Sequence, residues 1–141
     1  MKNGALVIFY RRLAGKREYL IVQNTSTGNI SFVGGAQEKG ESLEDTARRE
    51  INEELGLHPD QYVLISTSVV NEFVFGNNKP ERAGQKGYYH VFLADGGAIG
   101  DIPYTNELKG VAWKSEEEVL KNLSFKDLGR VFSKAITYIT D

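Results

Sequence analysis

The chain has 141 residues, 17 Lys and Arg against 19 Asp and Glu, and no cysteine. That length suits one domain over residues 1–141 with a proper core, and the near balance of charge argues against recruiting nucleic acid or an anionic membrane by field alone. The lack of cysteine excludes disulfides and thiolate metal sites and fits a reducing compartment, the cytoplasm.

The N-terminal MKNGALVIFYRR has too short an apolar run for a signal peptide or a membrane span. Ala5–Tyr10 and Tyr19–Gln23, rich in β-branched and aromatic residues, predict a hairpin across Arg11–Arg17 with Gly15 at its turn. After the polar turn 24–29, Ile30–Val33 predicts a brief strand ending at Gly34-Gly35. Ser42 with Asp45 resembles a capping box, and Gly56 before Leu57 and Pro59 is a left-handed stop, so a helix is expected over Leu43–Leu55. Tyr62–Phe75 reads as strand with a break, Gly76–Gly87 as a polar loop, and Tyr88–Ala94 as strand. A loop over Asp95–Asn106 leads to a strand Leu108–Lys114, and Ser115 with Glu118 caps a short helix. Leu128, Val131, Phe132, Ala135, Ile136 and Ile139 then form one apolar stripe on a C-terminal helix. The mixture predicts an α/β fold, a sheet layered between helices.

The acidic run in the first helix demands an explanation. Glu50, Glu53 and Glu54 stand at i, i+3 and i+4, where like charges repel. With Ile51 at zero and about 100° per residue, Ala47 and Leu55 lie about 40° to either side, and Leu43 near −80°. Glu54 then falls near −60° and Glu50 near −100°, at the border of the apolar stripe, with Glu53 further round near −160°. A carboxylate so placed must be paired, protonated or bound to a cation, because burying an uncompensated charge is expensive. Arg48 lies beside Glu44 and Arg49 is expected on the far side with Asp45 and Glu53, so neither suits Glu54. A hard divalent cation such as Mg²⁺ answers the need, since it takes carboxylate and carbonyl oxygens.

Gly35, five residues, Glu41, seven residues and then Arg49-Glu50-Ile51-x-Glu53-Glu54-x-Gly56-Leu57 resembles the Nudix box, GX5EX7REUXEEXGU, at every defined position. By chance its seven invariant letters would coincide at a given start below roughly once in 10⁸. The resemblance implies a Nudix-like α/β/α sandwich with a mixed sheet, and metal-dependent hydrolysis, with Mg²⁺ or Mn²⁺, of a nucleoside diphosphate linked to another moiety. It implies Glu50 and Glu54 as main metal ligands, Glu53 as a further ligand or the base, and the Gly35 carbonyl as an added ligand. It also implies that Arg49, partnered by Glu41, orients the carboxylates. Many family members carry Pro where this chain has Val33. A catalytically silent Nudix domain serving as a nucleotide sensor or protein-binding module is the other function class open to such a chain, although the presence of every acid favours the enzyme.

Outside the box, Glu107 resembles an additional acid that some members bring to the metal or the water. Lys79, Arg82 and Lys86 are candidates for phosphate contacts, with ordinary solvation as the bland reading. Tyr88 and Tyr89 alternate across a strand, so one faces the core and the other is free to stack on a base, and the sequence leaves open which. His58 and His90 lack ligand spacing, and Trp113 reads as core. The expected partner is a small nucleotide-type diphosphate, acted on by a monomer or homodimer, with no nucleic acid or membrane involved.

Overall fold

The run ALVIFY, residues 5–10, has no polar member, the pattern of a strand covered on both faces. In the computed structural model, which describes residues 2–76 and 80–140, it lies at the centre of the sheet. Among the described residues seven strands form: β1 (Lys2–Leu13), β2 (Lys16–Asn24), β3 (Ile30–Ser31), β4 (Val33–Ala36), β5 (Val63–Val74), β6 (Lys86–Asp95) and β7 (Leu108–Lys114). Three helices cover them: α1 (Leu43–Leu55), α2 (Glu116–Asn122) and α3 (Lys126–Ala135). Among the described residues no helix is long and apolar enough to cross a membrane.

Along β1 the two-residue period of a strand divides the core. Ala5, Val7 and Phe9 join the cluster containing Ala47, Ile51 and Leu55 of α1. Leu6, Ile8 and Tyr10 join the cluster containing Val119 of α2 and Leu128, Val131, Phe132 and Ala135 of α3. This is the α/β/α layering expected from the sequence. The sheet is mixed: β1 runs parallel to β6, and antiparallel to β2 over Tyr10–Leu13 and to β4 over Gly4–Val7. β5 closes one edge against β6, while β3 and β7 pair with β2.

The hairpin forms, with strands longer than the apolar runs and Ala14-Gly15, both at positive φ, as its two-residue turn. The break in the fifth strand is a register shift between Ser66 and Val70, where the Thr67 hydroxyl donates to Val91 O at 2.7 Å. Three boundaries differ from expectation. The predicted strand Ile30–Val33 is two, β3 on β2 and β4 on β1, and β4 continues through Gly34 and Gly35. A side chain at Gly34 would overlap the Ala5 carbonyl oxygen, so glycine lets the chain cross to β1 and keep pairing. The loop after β5 ends at Lys86, because Phe75 and Gln85 extend the hairpin with Phe75 N donating to Gln85 O at 3.0 Å. The C-terminal helix stops at Ala135 and Ile136–Tyr138 tightens into a 3-10 turn, where the Thr137 hydroxyl donates to the Lys134 carbonyl at 2.6 Å.

A candidate metal and diphosphate site at the acidic helix

The first helix begins where the sequence says it should. Ser42 Oγ accepts from Asp45 N at 3.0 Å while Asp45 Oδ2 accepts from Ser42 N at 3.1 Å, and Gly56, at φ 69°, ends the helix. Fixing both ends fixes the phase of the face between them. Glu50 and Glu54 are buried with Ala47, Ile51 and Leu55, whereas Glu53 stays 43% exposed, as the helical wheel requires.

Arg49 organises these acids, and its direction corrects the expectation of a far-side pairing with Asp45. Asp45 is occupied by the cap, and the guanidinium turns instead toward Glu41 and the sheet. Nε donates to Glu41 Oε2 at 2.6 Å and Nη2 to Glu41 Oε1 at 3.0 Å, a two-pronged pairing that fixes the plane of both groups. Nη2 also reaches Ala36 O at 2.9 Å, and Nη1 reaches Glu50 Oε1 at 2.8 Å and Glu53 Oε2 at 3.2 Å. Glu38, which sequence reasoning passed over, lies 3.2 Å from Nε. Glu41 in turn accepts from the Thr46 hydroxyl at 3.0 Å and Glu38 N at 2.9 Å. The Arg49 hydrogen bonds hold the Glu41 carboxyl down at about 2, so it is ionised at any working pH.

Glu54 is the opposite case. Burial, its hydrogen bond with Glu50 and the charge of Glu50 push its carboxyl up to about 9, with the Gly34 N–H at 3.2 Å as partial compensation. Burial also raises Glu50, against the opposing pull of Arg49. These acids sit in the last turns of α1, near the negative end of the helix dipole, and no basic residue lies in the last turn. In such an arrangement the ionised form of the acids is unfavourable unless a cation compensates it.

Gly35 of β4 faces Glu50, and a side chain there would occupy the carboxylate's position. Gly4 of β1, which the sequence reading did not single out, is needed for the same reason: a side chain on it would meet the Gly35 carbonyl oxygen and the Tyr89 ring. Carboxylate oxygens of Glu50, Glu53 and Glu107 lie within 4.8 Å of one another. An all-oxygen donor set of this kind, with the buried Glu54 beside it, fits a hard divalent cation such as Mg²⁺ or Mn²⁺.

The acids line a cleft of about 620 Å³ together with Asn24, Thr25, Ser26, Phe75, Arg82 and Tyr89. Of the residues considered for substrate contacts, the structure brings Arg82, Tyr89 and Glu107 to this cleft. Lys86, exposed at the start of β6, and Tyr88, on the opposite face of that strand, do not line it. Lys79 lies outside the described residues. Tyr89 is nearly buried, with its ring centroid 4.8 Å from Phe73 and 6.4 Å from Phe75. The Arg82 guanidinium sits 5.5 Å from the centre of the Phe75 ring. His90 pairs with Ser66 at 3.0 Å and neither histidine lines the cleft.

A NUDIX domain family model matches residues 2–134, and the chain belongs to the Nudix family, whose class of activity is hydrolysis of phosphorus-containing anhydrides. Solved structures share the fold. They include an Ap4A hydrolase from C. elegans, with TM-score 0.79, 21% identity and 99% of each chain covered. A dihydroneopterin triphosphate pyrophosphohydrolase from E. coli gives TM-score 0.82 at 17% identity, covering 97% of this chain and 96% of that one. The NUDIX domain of Shewanella oneidensis NrtR, complexed with ADP ribose, gives 0.68 at 16% identity, covering 97% and 88%. No curated protein sequence matches the chain.

Proposed function

We propose that this Nudix protein is a pyrophosphohydrolase that uses Mg²⁺ or Mn²⁺ to cleave a nucleoside diphosphate linked to another moiety, by attack of water at phosphorus. The observation that carries this reading is the buried pair Glu50 and Glu54 beside Glu53 and Glu107, a concentration of negative charge that makes sense when a cation is bound. Glu50, Glu54 and Glu107 would hold it, with Glu53 and Gly35 lining the same cleft. When bound, it supplies neutralisation of charge on the diphosphate oxygens.

The residues of the chain divide the remaining work. Arg49, clamped by Glu41, fixes Glu50 and Glu53 in position before substrate arrives, so little reorganisation is left for the reaction. Glu41 is too acidic to serve as a base and Glu50, Glu54 and Glu107 would be engaged by the cation, whereas Glu53 is exposed and lines the cleft. Glu53 therefore takes the proton of the attacking water as the P–O bond to the leaving phosphate breaks. Arg82 contacts anionic groups of the substrate, and Phe75 with Tyr89 offers a surface on which a base stacks. The structural neighbours include hydrolases of Ap4A and of dihydroneopterin triphosphate and a domain complexed with ADP ribose, all phosphate-anhydride compounds, which supports a substrate of that kind.

A panel of nucleoside triphosphates, dinucleoside polyphosphates and nucleoside diphosphate sugars, incubated with the chain in Mg²⁺ or EDTA and read by phosphorus NMR, tests the proposal. Mg²⁺-dependent cleavage of at least one anhydride is expected. Tight nucleotide binding without cleavage anywhere in the panel would instead establish a silent, ligand-sensing domain.

A further inference from the structure

Glu107 comes from a loop 53 residues beyond Glu54, yet its carboxylate meets Glu50 and Glu53. Two threonines account for that. The Thr105 hydroxyl donates to Glu53 O at 2.6 Å and Thr105 N donates to Glu54 O at 2.9 Å. These carbonyls lie in the last turn of α1, where backbone acceptors lack partners within the helix. Thr105 also takes the Glu107 N–H on its hydroxyl at 3.4 Å, so one side chain touches both the helix end and the residue carrying the acid. From the opposite side, Thr25 in the turn after β2 donates its hydroxyl to Asn106 O at 3.0 Å and its N–H to Glu107 O at 3.2 Å. That turn is itself held, because Asn24 Oδ1 accepts from Ser26 N at 2.9 Å and Thr27 N at 3.1 Å.

We propose that Thr105 and Thr25 are positioning residues which clasp the loop 105–107 between the end of α1 and the β2–β3 turn and so deliver Glu107 to the cation site as a preset ligand. The inference rests on the metal-dependent reading above. Both threonines hold the backbone of residues 106 and 107 or the end of α1, and each acts through Glu107. The same clasp ties the turn at residues 24–26, which borders the cleft, to the acids, so substrate pressing on that turn is felt at Glu107.

The test measures Mn²⁺ binding to the whole chain, without substrate, by electron paramagnetic resonance. Thr105→Val keeps the side-chain shape and removes the hydroxyl; Thr105→Ser restores it; Thr25→Val cuts the second arm. Loss of a supporting hydrogen bond behind a metal ligand weakens affinity by about 10-fold to 100-fold. Thr105→Val and Thr25→Val should weaken Mn²⁺ within that range, and Thr105→Ser should bind as the natural chain does. In a Glu107→Gln background the Thr105→Val effect should vanish, because the group it positions is gone. An equal loss in both backgrounds would show general damage to the helix end and overturn the clasp, as would natural affinity in Thr105→Val. If the natural chain binds no Mn²⁺, the metal-dependent reading fails and takes the clasp with it; if it binds and the threonine variants bind equally, the clasp alone fails.

Discussion

Replacing Glu54 by Gln should make the metal-free protein more stable at neutral pH while removing its activity. Without a cation the Glu54 carboxyl sits at about 9, far above the usual 4.5, because burial and Glu50 oppose its charge. Between those two values the native state binds a proton that the unfolded chain has released. Native stability therefore falls as pH rises across that window, by about 1.4 kcal/mol per pH unit for one proton. From pH 5.5 to 7.5 this amounts to about 3 kcal/mol, an upper bound because Glu50 shares the proton. For a chain of this length it corresponds to a loss of roughly 8–10 °C in Tm. Gln reproduces the neutral acid, still accepts from the Gly34 N–H, and abolishes the slope. Urea unfolding in EDTA at both pH values, for the natural chain and Glu54→Gln, reads the difference directly. Saturating Mg²⁺ should flatten the natural chain's slope, since a ligand of the native ionised state stabilises it by mass action. Parallel pH dependence of the two proteins in EDTA would refute the assignment of Glu54 as a buried carboxyl that stays protonated until a cation binds.

Glu41 gives a pH effect of opposite sign: its carboxyl lies at about 2, so the stability it lends is complete above about 4.5 and disappears as pH falls toward 2. Acid unfolding followed by circular dichroism should begin at higher pH in Arg49→Met than in the natural chain. Gly35→Ala should lower kcat by at least about 100-fold, because the added methyl displaces the Glu50 carboxylate from its preset place, and the loss is read by steady-state hydrolysis in Mg²⁺. Arg82→Ala should raise KM for the best substrate by about 10-fold with kcat nearly intact, the pattern of lost uniform binding, whereas Lys86→Ala, which lies off the cleft, should leave both constants unchanged.

The acidic site is legible in the sequence because a helix has a known period and both of its ends carry caps. Once Ser42 and Gly56 fix the span, Ile51 fixes the buried face, and the burial of Glu50 and Glu54 follows from angle alone. The direction of Arg49 does not follow in that way. Its far-side neighbour Asp45 is removed by the cap, and Glu41 precedes the helix, so the wheel cannot contain it. Strands present a related difficulty. Alternation says that Tyr88 and Tyr89 face opposite ways but does not set the phase. That is settled by the parallel register with β1, which sets Tyr89 opposite Gly4, a residue with no side chain to block the ring. The hydrogen bonds of Thr25 and Thr105 join residues 81 and 52 positions apart, and nothing local in either sequence announces the partner. Gly34 and Gly35 read as a strand end because glycine usually weakens a strand, whereas here the same lack of a side chain is what lets β4 pass Ala5 and Glu50.

The central claim is that Glu50, Glu53 and Glu54 of α1, together with Glu107, activate water to break a phosphate anhydride, and isotope tracing tests it most directly. The best substrate found in the panel is hydrolysed in water enriched in ¹⁸O, with Mg²⁺, and the products are weighed by mass spectrometry. The account predicts one ¹⁸O in a phosphate-bearing product, formed by the natural chain, and loss of turnover by at least about 100-fold in Glu54→Gln, the scale on which a preset electrostatic group is lost. Label carried by carbon in place of phosphorus, or equal turnover by Glu54→Gln, would contradict it.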